Sequence, residues 1–254
     1  MRPIIDRRET AAGRFFVAAG LAEQKDYRNT DLLPVAAKIG SEGKMLDAEP
    51  EGRIAWRDNF GGPYTVECRR KRFSKAEPSY RFHDRDIEWR ILSPAGICAV
   101  AKFVEWRASP ESDILQFIEE ADASSQADQE MAFAIQQSWG WPIFPFDYGT
   151  VIRFDRLVID TAKDAQRLVW SYMGLAIRRE FSDRVAIMIL KAFPLEYESE
   201  VVDKQRAAFE RRFAALLRLY RFRLDALPLP NRWGKKGWMW KSLRFDEEPG
   251  DYDE

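Results

Sequence analysis

The run Val185-Ala-Ile-Met-Ile-Leu190 constrains the fold of this chain more than any other stretch. Six apolar residues in a row, with no charge among them, suit a strand covered on both faces. The segment before it explains how such a strand is reached. Val151–Ile159 is rich in β-branched and apolar residues and reads as a second strand. Asp160 and Thr161 can cap a helix behind it. From Ala162 to Phe181, the residues Leu168, Val169, Tyr172, Met173, Ala176, Ile177 and Phe181 recur at helical spacing. Two strands joined by a helix of this length are predicted to be parallel neighbours in one sheet.

The other elements arrange themselves around this unit. Residues 1–52 read as a short helical extension, with helices at about Glu9–Leu21 and Leu32–Ile39. The main domain is predicted over 53–245. Its first half is mostly strand: Ile54–Arg57, Tyr64–Arg69, then a hairpin of Ile87–Leu92 and Ile97–Trp106 around Ser93-Pro-Ala-Gly96. Ser109-Pro110 predicts a helix start, and Ser125 with Asp128 predicts a second one. Gly140-Trp-Pro-Ile-Phe-Pro145 ends that helix. An acidic connection, Pro194–Glu200, leads into an amphipathic helix carrying Phe209, Phe213, Leu216, Leu217, Tyr220 and Leu224 on one face. Trp238–Leu243 is the expected last strand, and residues 246–254 form an acidic tail expected to fray.

Composition bounds the function classes. Forty Lys and Arg against 41 Asp and Glu leave a net charge of -1. A protein that is cationic overall is excluded, while local basic faces remain open. Two exist in the sequence. One is Arg69-Arg-Lys-Arg72; the other is the polar side of the last long helix, with Lys204, Arg206, Arg211, Arg212, Arg218, Arg221 and Arg223. The near-neutral total and the acidic tail count against nucleic acid as a partner. Met1–Glu9 becomes charged too early for a secretory leader, and no run is long enough to span a membrane, so the expected compartment is cytoplasmic. Cys68 and Cys98 are then expected as free thiols in the core, and a placement on neighbouring strands stays open. One histidine, His83, sits among polar residues at the surface or in a turn, and no paired cysteines suggest a metal.

The order of elements, and above all Phe154–Asp160, the helix behind it and Val185–Pro194, resembles the GNAT superfamily of N-acetyltransferases over roughly Ile54–Leu243. The resemblance implies an α+β fold: a mixed, mainly antiparallel sheet with helices on both faces. In that family the fourth and fifth strands splay apart and an acyl-CoA lies in the gap. This would place Leu157, Val158 and Ile159 on the strand whose backbone pairs with the pantetheine arm, and Ala162–Leu175 around the pyrophosphate. The family's loop reads Q/R-x-x-G-x-G/A, whose glycines bring backbone N–H groups to the phosphates. One alignment sets Asp164, Arg167 and Val169 on the motif positions, and a two-residue shift sets Gln166, Val169 and Ser171 there. Neither restores the first glycine, and Gly174 comes a turn later. Cofactor contacts are therefore expected at Arg167, Leu168 and Val169, with an Arg167 guanidinium in place of lost donors, and acetyl-CoA or another acyl-CoA bound weakly or not at all.

Tyr220 matches the place of the family's general acid, without the Gly-Phe that follows it there; it also lies on an apolar stripe, where a core tyrosine belongs. Glu196 and Glu198 follow the fifth strand of the family's order, where a base could take the proton of an amine acceptor. The resulting expectation is transfer of an acyl group from a CoA thioester to an amine on a small molecule or protein. Two alternatives stand beside it: a non-catalytic interaction module on the same fold that has lost CoA binding, and polyanion or nucleic-acid binding through a basic helix face.

Overall fold

The computed structural model describes residues 52–74, 80–110, 112–140, 144–194 and 205–252, all within the unit Ile39–Glu254. The expected helices at Glu9–Leu21 and Leu32–Ile39 lie outside them. Eight strands form one open sheet: β1 (Arg53–Asp58), β2 (Thr65–Arg70), β3 (Phe82–Ser93), β4 (Gly96–Ala108), β5 (Thr150–Ile159), β6 (Val185–Lys191), β7 (Leu227–Pro228) and β8 (Trp238–Ser242). Their order is β1-β2-β3-β4-β5-β6-β8-β7. Every neighbouring pair is antiparallel except β5 and β6, which are parallel as their sequences predict.

Among the described residues there are five α-helices: α1 (Ile114–Ser124), α2 (Gln126–Trp139), α3 (Lys163–Phe181), α4 (Arg206–Leu224) and α5 (Arg232–Lys235). They lie on both faces of the sheet. One face holds Trp89, Phe103, Phe154 and Met188 under α3 and α4. The other holds Trp106, Val151, Ile187 and Ile189 under α1 and α2. β6 feeds both: Met188 and Leu190 turn to the first face, Ile187 and Ile189 to the second. That double burial explains its unbroken apolar sequence.

Ser125 caps α2 as expected, its hydroxyl accepting from the Asp128 amide at 3.1 Å. Two other expected starts shift. α1 begins behind Asp113 rather than at Ser109-Pro110, because Asp113 and Gln116 bond each other's backbone in a capping box, while the Ser109 amide donates to Arg81. α3 begins behind Ala162, so neither Asp160 nor Thr161 caps it; the Asp160 amide instead extends the ladder to Cys98. The tail does not fray over its described part. Gly250 and Tyr252 donate backbone bonds to Ser138 and Gln137, and Trp139 Nε1 donates to Glu247 at 3.0 Å, so the tail satisfies the end of α2.

The charged residues at one end of the first face form a buried network. Glu105 has no exposed surface, accepts from Arg85 at 2.7 Å and from Thr150 at 2.8 Å, and pairs with Arg184. Glu180 accepts from Arg184 at 2.6 Å, from Trp56 Nε1 at 2.5 Å and pairs with Arg70 at 3.2 Å. These bonds fix the end of α3 to β1–β4. A buried carboxylate stripped of its partner costs about 3–5 kcal/mol, so the network specifies this packing more than it adds stability. Cys68 and Cys98 are free and buried, but on β2 and β4 with β3 between them, so they are not on neighbouring strands. His83 lies within β3, partly exposed, 3.5 Å from the Ser109 hydroxyl.

Candidate functional site

The two parallel strands part halfway along β5. Their pairing runs from Thr150 with Val185 to Phe154 with Leu190 and stops there. β6 ends at Lys191, and the Ala192 amide turns to Gly237. β5 continues to Ile159, paired to β4 alone. At the parting point β5 carries an extra residue: Lys102 faces Arg156 and Phe103 faces Phe154, leaving Asp155 as a bulge. A bulge bends and twists its strand, which turns the far half of β5 away from β6.

The ladder fixes which backbone groups face the gap. In an antiparallel pair, alternate residues point their N–H and C=O at the partner strand. Asp160 N donates to Cys98 O at 2.8 Å. Val158 and Arg156 therefore also face β4, and Leu157 and Ile159 face the other way. Among the described residues nothing bonds the Leu157 and Ile159 backbone on that side. The strand edge there is a ready partner for an extended ligand. Val158, expected on the same strand, turns its side chain to the second face and is buried against Val100.

α3 starts three residues beyond the open edge, and its N-terminus carries no side-chain cap. The Ala165 and Gln166 amides both close on Ala162 O, and the amides before them have no intrahelical acceptor, so the end attracts an anion. The residues expected at a pyrophosphate divide. Arg167 and Leu168 are exposed, more than a turn from this end. Val169 is 0% exposed and packs in the core, so it offers a ligand no surface. Ser171 is exposed and donates back to Arg167 O at 3.1 Å, and Gln166 reaches Thr161 O at 3.4 Å. A Cβ on Gly174 would meet nothing within 4 Å, so no close backbone approach requires that glycine.

Beneath the gap on the α3 side stands an aromatic wall. Tyr220 of α4 lies 6.0 Å from Phe154 and 6.3 Å from Trp170, ring centre to ring centre and edge to face. Burial pushes the Tyr220 phenol up to about 12. The phenol is therefore protonated at neutral pH, as a general acid must be. A thiol of ordinary acidity titrates near 8.5, however, so passing the proton to a thiolate runs uphill by roughly 3–4 pKa units. Packing is the role these contacts favour. Glu196 and Glu198 lie outside the described residues.

Sequence reading passed over charged groups at the parting point. Asp155 holds Arg153 at 2.8 Å and Arg156 at 3.0 Å, and Arg153 also binds buried Asp128 of α2 at 2.9 Å. Lys191, the last residue of β6, binds Glu130 of α2 at 2.5 Å. Asp155 is thus the carboxylate in register with the strands' separation, and two guanidiniums orient it. Its signal in the sequence was Arg153-Phe-Asp-Arg156, three charges interrupting an apolar strand.

The basic run Arg69–Arg72 is largely taken up in ion pairs. Arg69 binds Glu67 at 2.6 Å, Arg70 binds Glu180, and Lys71 binds Asp86 at 2.7 Å. Among the described residues no cluster of His, Cys, Asp and Glu could hold a metal ion, and no helix is long and apolar enough to cross a membrane. Comparison with protein-family models, with curated proteins and with solved structures gives no match.

Proposed function

We propose that this protein transfers an acyl group from a CoA thioester to an amine, in the manner of the GNAT enzymes it resembles. One observation carries the reading: β5 outruns β6, and the backbone of Leu157 and Ile159 faces the gap without a partner among the described residues. The pantetheine arm, with its two amides, is an extended chain suited to that edge, and the uncapped start of α3 lies where its phosphates would follow. The amine nitrogen attacks the thioester carbonyl, a C–N bond replaces the C–S bond, and the ammonium proton is lost as the thiolate gains one. Asp155 orients the amine as its ammonium precursor. Tyr220 supports the wall beneath the acyl group.

Binding is tested by thermal unfolding with and without acetyl-CoA. A ligand at about 100 times its dissociation constant stabilises a protein by about 2.7 kcal/mol. For a chain of this size that is roughly 5–10 °C in Tm. The diagnostic variant is Ile159→Pro. It deletes an N–H aimed at the gap and spares the ladder to β4, because Ile159 is not hydrogen-bonded to Ala99 opposite it. We expect a rise of Tm in the wild type and little or none in the variant, with matched melting curves in the absence of ligand. No shift with millimolar acetyl-CoA would overturn acyl transfer.

A second reading has its own observation. Val169 lies in the core, and no glycine occupies the first turn of α3. A protein of this fold without a phosphate cradle would act as a binding module, and the absent thermal shift is its expected result.

A further inference from the structure

We propose that the outer faces of α3 and α4 together form a nucleic-acid-binding surface whose arginines take the phosphate backbone. This is independent of acyl transfer. Both helices lie against the same face of the sheet, so their outer sides look the same way. Arg167 and Arg178 of α3 and Arg211, Arg218 and Arg221 of α4 are exposed there. None of the five holds a carboxylate among the described residues. Glu210 is the only carboxylate of α4.

Helical geometry gathers the three arginines of α4. Steps of seven and three residues keep Arg211, Arg218 and Arg221 on one side. At 1.5 Å per residue they span about 15 Å. Elsewhere Arg57, Arg69, Arg70, Arg85, Arg153 and Arg184 each bind a carboxylate. Arg53, Arg72, Arg81 and Arg107 bind none among the described residues, but they are scattered over the strands and their ends rather than gathered on one helix face. A cluster without counter-charges among the described residues, in a protein of net charge -1, is a local feature, not a consequence of composition.

The chemistry around the arginines selects the partner. The large exposed apolar side chains on these two helices are Leu168 and Phe222. The apolar stripe of α4 turns toward the sheet, where Leu216, Leu217 and Tyr220 pack on the core. A membrane-surface helix needs its apolar face outward, and a protein interface needs an apolar centre; among the described residues of these two helices neither is present. A nucleic acid needs cations along its backbone and an aromatic ring on which a base can stack. Phe222 supplies the ring, with the Arg223 guanidinium 4.9 Å from its centre.

The test is fluorescence anisotropy with labelled single-stranded DNA, single-stranded RNA and duplex DNA, beside a sedimentation assay with phosphatidylserine vesicles. We expect at least one nucleic acid to bind at low salt. Five phosphate contacts predict a log–log salt slope of about -3.5 for a single strand or about -4.5 for a duplex. The triple variant Arg211→Ala, Arg218→Ala, Arg221→Ala should lose about 2–3 of that slope and keep its circular dichroism and melting curve. The control Arg57→Ala should bind as the wild type. The proposal is overturned if no nucleic acid binds at about 50 mM salt. It is equally overturned if the triple variant binds unchanged, if Arg57→Ala loses as much, or if only the vesicles bind.

Discussion

α3 and α4 each run for 19 residues and lie against the same face of the sheet, yet they are held very differently. α3 buries Val169, Trp170, Tyr172, Met173, Ala176, Ile177 and Phe181. α4 buries Leu224 alone, although Phe209, Phe213, Leu216 and Leu217 repeat at helical spacing. The difference is topological. α3 connects two central strands and must cross the middle of the sheet. α4 leads from β6 toward β7 at the edge of the sheet. It comes close to the turn before β8, where a Cβ on Gly237 would lie 2.6 Å from the Phe213 ring. Periodicity tells which side of a helix turns inward. It does not tell how much sheet lies beneath.

The comparison breaks most readily by truncating one large side chain on each helix. The Phe181 ring stacks on Trp89 at 5.1 Å and meets Phe103 edge-on at 5.3 Å, with no exposed surface. Phe181→Ala should cost about 3–5 kcal/mol in urea denaturation. Leu217→Ala, at a half-buried site, should cost less than about 2 kcal/mol, below the range of fully buried leucines. Similar losses would mean that α4 is as firmly seated as α3.

A smaller effect separates two neighbours on α3. Val169→Gly opens a cavity in the core and adds backbone entropy, together about 3 kcal/mol. Arg167→Gly, on the exposed side, should cost only the helix-propensity difference of about 1 kcal/mol. Rebuilding the glycines of a phosphate loop at these two positions would therefore unsettle the fold before it improved a ligand site. Equal melting temperatures for the two single variants would contradict the burial of Val169.

These residues also mark what the sequence could tell. The apolar run of β6, the helix behind β5 and the Ser125 cap rest on local patterns, and the fold repeats them. Two sequence signals compete at Val169: helical periodicity puts it on the apolar stripe, while motif alignment puts it beside a phosphate. The structure follows periodicity, because a side chain on the stripe of a crossover helix has nowhere else to go. The bulge at Asp155 was not legible, since an extra residue exists only relative to the register of β4. Nor were the ion pairs of Arg69–Arg72, whose partners Glu180 and Asp86 come from other elements. β7 and α5 are two and four residues long, too short for any periodicity. Leu157 and Ile159 entered only through the family resemblance. Their open backbone depends on where β6 stops.

Tyr220 gives the smallest effect and the sharpest test of how α4 meets the gap. Its phenol titrates near 12 in the folded protein against an ordinary 10.0, and burial is the cause. The unfolded chain therefore loses this proton first as the pH rises. Below pH 10 both states keep it, and Tyr220→Phe should change stability by well under about 1 kcal/mol, since the ring contacts with Phe154 and Trp170 persist. Between pH 10 and 12 the folded wild type binds more protons than its unfolded chain, so its stability falls with pH. The phenylalanine variant has no such group and loses less over that interval. We expect the two urea midpoints to coincide at neutral pH and to diverge above pH 10 in favour of the variant, by on the order of 1–2 kcal/mol once partial exposure of the residue is allowed for. Parallel curves through pH 12 would place the hydroxyl in water, open to the gap. Tyr220 would then regain the acidity that proton transfer to a departing thiolate requires.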